Sequence, residues 1–514
     1  MGLRFVLPVL LILLLLGFGA CGSEGPNPDP APEPEDDADV EEAPESVSKP
    51  AFVLTSRGTN ELSSTVVRDR VWTLRAGEED LGILRWTELT FVDGSEYFHL
   101  RYESITEGDN PVQISVPLGL LPQTYRSPEY TEDTDQGFAG WSEELQIGEL
   151  GDGPANVPLV LRGPYGRGHV YLSPTSLYEP QGNDVLRVNL EVESDRSLGG
   201  DQLVLTLHPP AHSYTEQWGI RFPGSTPPLD WDCEESLDLL RVGVFNPSRW
   251  WSRDGMYYQT LPAHIPSCEL CFYPNPAHHV GKGYLGTPVE DGFFSAFALV
   301  SLHTAARMQS AGGYWTTGPG SEWLRGLYGL EGGLYDTRWS TDAGLFLLLG
   351  YRKHADPHFL DAATRYADFL VEYIDTHHFP TEGGGYLVWD YADPDQWGAV
   401  PTHTSLNHQL SEMSFLYEIY LETGQSSYRS QAEMLLLAIA ETREQWVRED
   451  TGDLWYARMP DGQYGVDDYP LLTLRDLRYA QRLHRQVYES ENEDLQFLID
   501  TKEAYLVGAN LPLH

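Results

Sequence analysis

Lysine is nearly absent from this chain. Of 514 residues only four are lysine, at Lys49, Lys282, Lys353 and Lys502, and Lys and Arg together number 33 against 77 Asp and Glu. The formal charge of −44 excludes a nucleic-acid partner, which needs a basic footprint. It also means that an anionic substrate is met by local Arg side chains or helix N-termini, not by the global field. An acidic, lysine-poor surface suits a salty setting, where screening weakens self-repulsion. Large apolar residues are nearly absent from residues 22–50, which include the run EGPNPDPAPEPEDDADVEEAPE. Such a segment buries too little to fold and is expected to be an extended, self-repelling tether. Cysteine is scarce too: past Cys21 only Cys233, Cys268 and Cys271 remain, an odd number that cannot pair completely.

What is present begins with an address. Arg4 precedes the apolar run VLPVLLILLLLGFGA, which ends at Cys21. A short apolar run with a positive flank and small residues at its end is a secretory signal, here residues 1–21. Its ending, FGAC, resembles a bacterial lipobox with Phe18 where Leu is usual. That resemblance implies cleavage before Cys21 and a lipid on its sulfur, tethering the protein to a membrane without a spanning helix. The expected location is exported, anchored to the bacterial cell envelope at the outer membrane or in the periplasm; a plain signal peptide is the alternative. The segment SCELC is a C-x-x-C with His264, His278 and His279 nearby. Cys233, Cys268 and Cys271 therefore admit a structural zinc site, one disulfide with a free thiol, or three free thiols. No cofactor is expected beyond that structural zinc.

The periodicity divides the remainder in two. From about residue 52 to 225 there is no long helical period, and YFHLRYESI (97–105), DVLRVNLEV (184–192) and QLVLTLHPP (202–210) alternate as half-buried strands do. A β-rich, sandwich-like domain is expected over 51–228. After the Pro-rich joint PGSTPPLDW the period becomes helical, with runs near 288–309, 340–352, 357–375, 404–422, 427–446, 471–488 and 491–506. Aromatic, glycine-rich segments such as GGGYLVWDY (383–391) and TGDLWYARMPDG (451–462) separate helix pairs. The expected fold is α+β and multidomain, with an incomplete (α/α) toroid over 229–514 whose loops form a cleft at one end.

Three blocks in that half carry a family resemblance: YLVWDYADP (386–394), SLNHQLSEMSFLYEIYLETG (405–424) and YGVDDYPLLTLRDL (464–477), with RWSTDAGLFLLLGYRKHAD (338–356) upstream. They resemble the C-terminal domain of D-glucuronyl C5-epimerases, over less than half the chain. Three positions depart from that family: Asn407 is followed by His408 and not Gly, Asp390 stands where Glu is usual, and Tyr469 is followed by Pro470 and not His. The resemblance implies an isomerase acting on an anionic polysaccharide. It would remove the proton beside a uronate carboxylate and return one from the opposite face.

That chemistry needs a base, an acid and donors for the growing negative charge. The resemblance implies Tyr391 and Tyr469 as proton carriers, with Asp390 beside the first. A phenol titrates near 10 in water, so it needs help to act as a base. Carboxylate capture would fall to Arg338, Arg458, Arg475 or Arg478, whose forks suit carboxylates. Trp315, Trp339, Trp389 and Trp455 fall between helices, where rings stack on sugars or pack in hairpins. The helix that begins near residue 404 carries His403, Asn407, His408 and Glu412 in its first turns. Asn407 and His403 are the substrate-binding candidates, and His408 with Glu412 reads equally as scaffold. A uronate lyase needs the same proton abstraction and is not separable by sequence. A glycosidase would draw on Glu382, Asp390, Glu412, Asp467 or Asp468. A non-catalytic, envelope-anchored glycan-binding protein would keep the aromatics and lose the proton carriers.

Overall fold

The computed structural model describes residues 50–106, 111–130, 138–150, 157–190, 194–252, 255–276, 278–287 and 292–513, without the side chains of Glu149 and Ser194. The signal segment with Cys21 and all of the tether except Pro50 lie outside these residues. Residues Ser48–His514 form one compact unit. Among the described residues no helix is long and apolar enough to cross a membrane.

Period-two sequence makes the first layer. An antiparallel sheet runs through Ala51–Glu61, Thr65–Ala76, Glu79–Phe91, Glu96–Ser104 and Tyr214–Phe222, and continues through Ser176–Gly182 and Val185–Asn189. Phe98, Leu100 and Tyr102 point to one face, where they pack with Leu203, Leu205 and Val116 of a smaller sheet built from Val112–Pro117, Ser194–Gly199 and Gln202–Leu207. The two sheets thus face each other across this packed layer. The other face carries Tyr97, Trp218, Ile220 and Phe222, which pack instead with Phe293 and Phe297 of a helix. The large sheet also passes the expected boundary at 228. Its strands Cys271–Asn275, Gly255–Gln259 and Arg249–Ser252 come later in the chain.

The described residues contain ten helices: α1 (Glu234–Gly243), α2 (His278–Gly286), α3 (Gly292–Met308), α4 (Glu322–Tyr328), α5 (Thr337–His354), α6 (Pro357–Thr376), α7 (Leu406–Thr423), α8 (Ser426–Thr442), α9 (Leu472–Tyr488) and α10 (Glu493–Gly508). The helical period found the long ones. It missed α1, α2 and α4, which are each ten residues or shorter. Local signals set the ends. Asp356 caps α6 ahead of Pro357, and Gly424 closes α7 at φ 71°. The hairpins α5/α6, α7/α8 and α9/α10 stand side by side, with α7 between α5 and α9, and with α2 and α3 against α5. Gly344 permits this closeness: a Cβ there would meet Tyr366 of α6 at 2.7 Å and Phe415 of α7 at 3.1 Å. Polar ties join sheet to helices. Ser64 donates from its backbone N–H to Asp356 Oδ2 at 2.9 Å, and Thr65 Oγ1 lies 2.6 Å from His303 Nε2.

Lys502 of α10 is fully buried, with its Nζ 2.7 Å from both Asp453 Oδ1 and Asp468 Oδ2. It locks α10 to the hairpin ahead of α9. Lys502→Met fills the same space and strands both carboxylates, so urea unfolding is expected to show a loss of about 3–5 kcal/mol.

Candidate active site

Helices α5, α7 and α9 are entered through short paired segments. Tyr335–Asp336 pairs with Tyr391–Ala392, and Thr404–Ser405 pairs with Trp455–Arg458, which pairs in turn with Tyr464–Asp467. These segments wall a cleft of about 470 Å³. Its lining is aromatic, with Trp323, Trp339, Tyr273, Tyr391, Tyr456 and Tyr469, and its ionisable side chains besides the tyrosines are His264, Asp336 and Asp467. Among the described residues no Lys or Arg lines it.

Tyr391 and Tyr469 thus meet at one cleft. Tyr456 lines the cleft with both and lies edge-on to Tyr469 with ring centroids 5.6 Å apart. Burial pushes the Tyr391 phenol far above its ordinary value, and the negative charge that Tyr456, Asp336 and Asp390 would bring nearby adds to this. At neutral pH Tyr391 is a proton donor and not a base. Tyr469 is half-exposed at 51%.

The base the cleft does offer is Asp336, which sequence reasoning passed over. It caps α5, where its Oδ1 accepts the Trp339 N–H at 2.9 Å. Burial pushes its carboxyl up to about 6, against the pull of the Trp339 and Arg338 N–H groups. The helical period detected this helix only from residue 340. The Asp-Thr-Arg-Trp start, with Asp as an N-cap, was the available signal.

Behind the cleft lies a buried polar layer. The Asp390 carboxyl group is bonded to the Ser405 backbone N–H at 3.0 Å and to its hydroxyl at 2.5 Å, so it secures the head of α7 instead of reaching the cleft. Burial holds this carboxyl well above its ordinary range. His403 Nδ1 lies 2.9 Å from the Tyr328 hydroxyl, and His408 Nδ1 lies 2.9 Å from Thr337 Oγ1. Burial lowers His403 to about 4 and His408 well below its ordinary value. Asn407 is buried with Oδ1 unpartnered, and Glu412 is fully buried and pushed up to about 8 by burial.

No protein-family model matches the chain, and no curated protein matches it. Solved structures do resemble it in part. A family 76 glycoside hydrolase from a bovine Bacteroides thetaiotaomicron strain aligns at 12% identity over 80% of this chain and 74% of that one, with a TM-score of 0.37. A D-mannose isomerase aligns at 14% identity over 45% of this chain and 58% of its own, with a TM-score of 0.33. The cellobiose 2-epimerase of Bacillus thermoamylovorans B4167 aligns at 11% identity over 40% of this chain and 52% of its own, with a TM-score of 0.31. The chain thus spans little more than half the length of the last two. At these scores the likeness identifies neither a family nor a reaction, and the site's chemistry rests on its own residues.

The remaining candidates stand elsewhere. Arg458 lies over the Phe379 ring at 4.0 Å, and Trp389 packs edge-on against His377; neither lines the cleft. Arg475 is exposed on the first turn of α9. Arg338 is engaged by Asp342 and Asp476, and Arg478 by Glu503. Cys268 and Cys271 are joined in a disulfide and Cys233 is free. That corrects the reading of Cys233, Cys268 and Cys271 as metal ligands, because the bonded sulfurs offer no thiolates. Among the described residues the groups with metal-like spacing are instead His278, His279 and Asp342, whose donor atoms lie within 4.8 Å of one another. Lys282 and Arg338 already occupy the two oxygens of Asp342, at 3.1 and 3.2 Å, and their charges oppose a cation there.

A buried carboxyl whose folded pKa is raised binds its proton more tightly in the folded state. The unfolded value is near 4.3, so Glu412 costs stability progressively as pH rises from about 4 through about 8. Glu412→Gln is therefore expected to gain stability over the parent as pH rises from 5 to 9 in urea titrations. A difference that does not change with pH refutes the assignment.

Proposed function

We propose that this protein is a carbohydrate-acting enzyme of the isomerase type. In this reading the cleft holds a sugar ring among its aromatic side chains, and the protein removes and returns a proton on a carbon beside a carbonyl or carboxyl group. One observation carries it: Asp336, poised near neutrality, shares the cleft with phenols that remain protonated. A base is most useful when its pKa is close to the working pH. Tyr391 and Tyr456 supply the acid and the O–H donors for the oxygen that gains negative charge. Trp323, Trp339 and Tyr273 give the ring faces to pack against.

The finer reading is C-5 epimerisation of a uronate residue in a polysaccharide, as the motif resemblance implies. A uronate carboxylate would have to be held by those phenols, whereas a neutral sugar makes no demand for a cation. A second reading, hydrolysis, is favoured by the presence of both Asp336 and Asp467 in the cleft, since glycosidases work with paired carboxyl groups. Export through residues 1–21 and a lipid on Cys21 complete the proposal, placing the enzyme on the cell envelope.

Incubation with uronate polymers and with neutral reducing sugars in deuterated water tests this. Deuterium is expected at the carbon beside the carbonyl or carboxyl group. Asp336→Asn is expected to lower its incorporation by about 100-fold or more, and Tyr391→Phe also to lower it. Release of reducing ends without deuterium at that carbon would establish the hydrolase instead.

A further inference from the structure

Beneath the cleft runs a row of ionisable groups that the proton transfer just described leaves idle. His408 Nδ1 lies 4.0 Å from Oδ1 of Asp336 and 3.7 Å from Oδ2 of Asp390. His403 Nε2 lies 3.4 Å from that same Oδ2, and its Nδ1 lies 2.9 Å from the Tyr328 hydroxyl. Asp390 and His403 are 0% exposed and His408 is 4% exposed. Tyr328 is half-buried and feels the charge of the exposed Asp461, so the row runs from the cleft floor to a place near the surface.

Burying such groups is unfavourable unless they are paired. Here the pairing is incomplete. Ser405 satisfies Asp390, yet His403 Nε2 has no hydrogen-bond partner, and no Lys or Arg among the described residues pairs with Asp390. Other charge close to Asp390 comes from Glu412 and Asp336. A scaffold needing only to secure the head of α7 would be served by Asp390 and Ser405 alone. The two imidazoles are surplus to that task, and both approach the same carboxyl oxygen.

We propose that Asp336, His408, Asp390, His403 and Tyr328 form a proton relay between the cleft and solvent, an inference that rests on the proton-transfer reading of the cleft. A proton taken from the sugar carbon onto Asp336 passes to His408 Nδ1 when the ring turns from Thr337 Oγ1, which lies 2.9 Å from that nitrogen, across the remaining gap. Asp390 gives its proton to His403 Nε2 as it accepts one from His408. His403 gives its Nδ1 proton to the Tyr328 oxygen, whose own proton leaves to water. One proton enters at Asp336 and one departs at Tyr328. Behind the Asp336 carboxylate, burial keeps the resting groups uncharged, with neutral imidazoles and a protonated Asp390, so that one proton enters as another leaves. Asp390, His403 and His408 are positioning and relay residues here and do not touch the substrate.

The test uses the full chain and a sugar carrying deuterium at the reacting carbon, with label released to water compared against product formed. In the parent the two are expected to keep pace. In His403→Phe, which keeps a ring against Trp323 and Tyr328, label release per product is expected to fall several-fold. Asp390→Asn is the second variant, should the first fail to fold. A purely structural role would lower turnover and leave that ratio unchanged, which would overturn the relay. If the parent exchanges no proton with any sugar, the cleft reading fails separately, and nitrogen-15 NMR of the histidines then decides the relay. His403 and His408 signals that respond to Asp336→Asn support a connected row, and signals that do not respond overturn it.

Discussion

Arg338 ties together the heads of α5, α7 and α9, the three helices entered through the segments beside the cleft. The side chain belongs to α5. It donates to the Asn407 carbonyl of α7 at 3.2 Å and forks onto Asp476 of α9, while Asp342 one turn along α5 fixes its stem. A guanidinium is well suited to this role, since its planar fork stays charged and meets a carboxylate with paired bonds. With the three helix ends held at one level, the segments entering them are brought side by side. Asp336, Tyr391, Tyr456 and Tyr469 then share one space although they are far apart in the chain.

The same anchoring explains the electrostatics. The chain carries a large acidic excess, yet Asp336 in the cleft and Asp390 and Glu412 behind it lie near one another, with Arg338 the strong cation close to Asp336 and Glu412. Burial therefore prevails over charge pairing, and all three carboxyls are pushed upward. The outcome is one carboxyl at the cleft poised near neutrality, a protonated one behind it, and histidines held neutral. Lys282 and Arg338 do the opposite at Asp342, which is held far below the usual range by those two cations. The contrast between Asp336 and Asp342, six residues apart on one helix, comes from their neighbours.

Periodicity made the broad fold legible. Alternation along residues 97–105 and 202–210 identified strands that pack face to face, and the helical period over 357–375 identified α6. The helix with Asn407 and His403 at its head was recognised as polar at one end, but the side chains there are buried and not an open binding surface. Trp389 and Arg458 could not be told from site residues by sequence, because an aromatic hairpin reads alike whether its rings face a sugar or a neighbouring loop. Asp336 was missed because a cap lies outside the apolar period. The disulfide between Cys268 and Cys271 was one of three readings that spacing alone left open.

The central claim is that the cleft at the heads of α5, α7 and α9 holds a sugar ring against Asp336 and Tyr391. A crystal structure with a bound oligosaccharide tests it most directly. The account predicts a sugar ring packed on the cleft's aromatic side chains, with one ring carbon facing the Asp336 carboxyl and a ring substituent's oxygen on the Tyr391 hydroxyl. A sugar bound elsewhere on the molecule, with the cleft filled only by solvent, would contradict it.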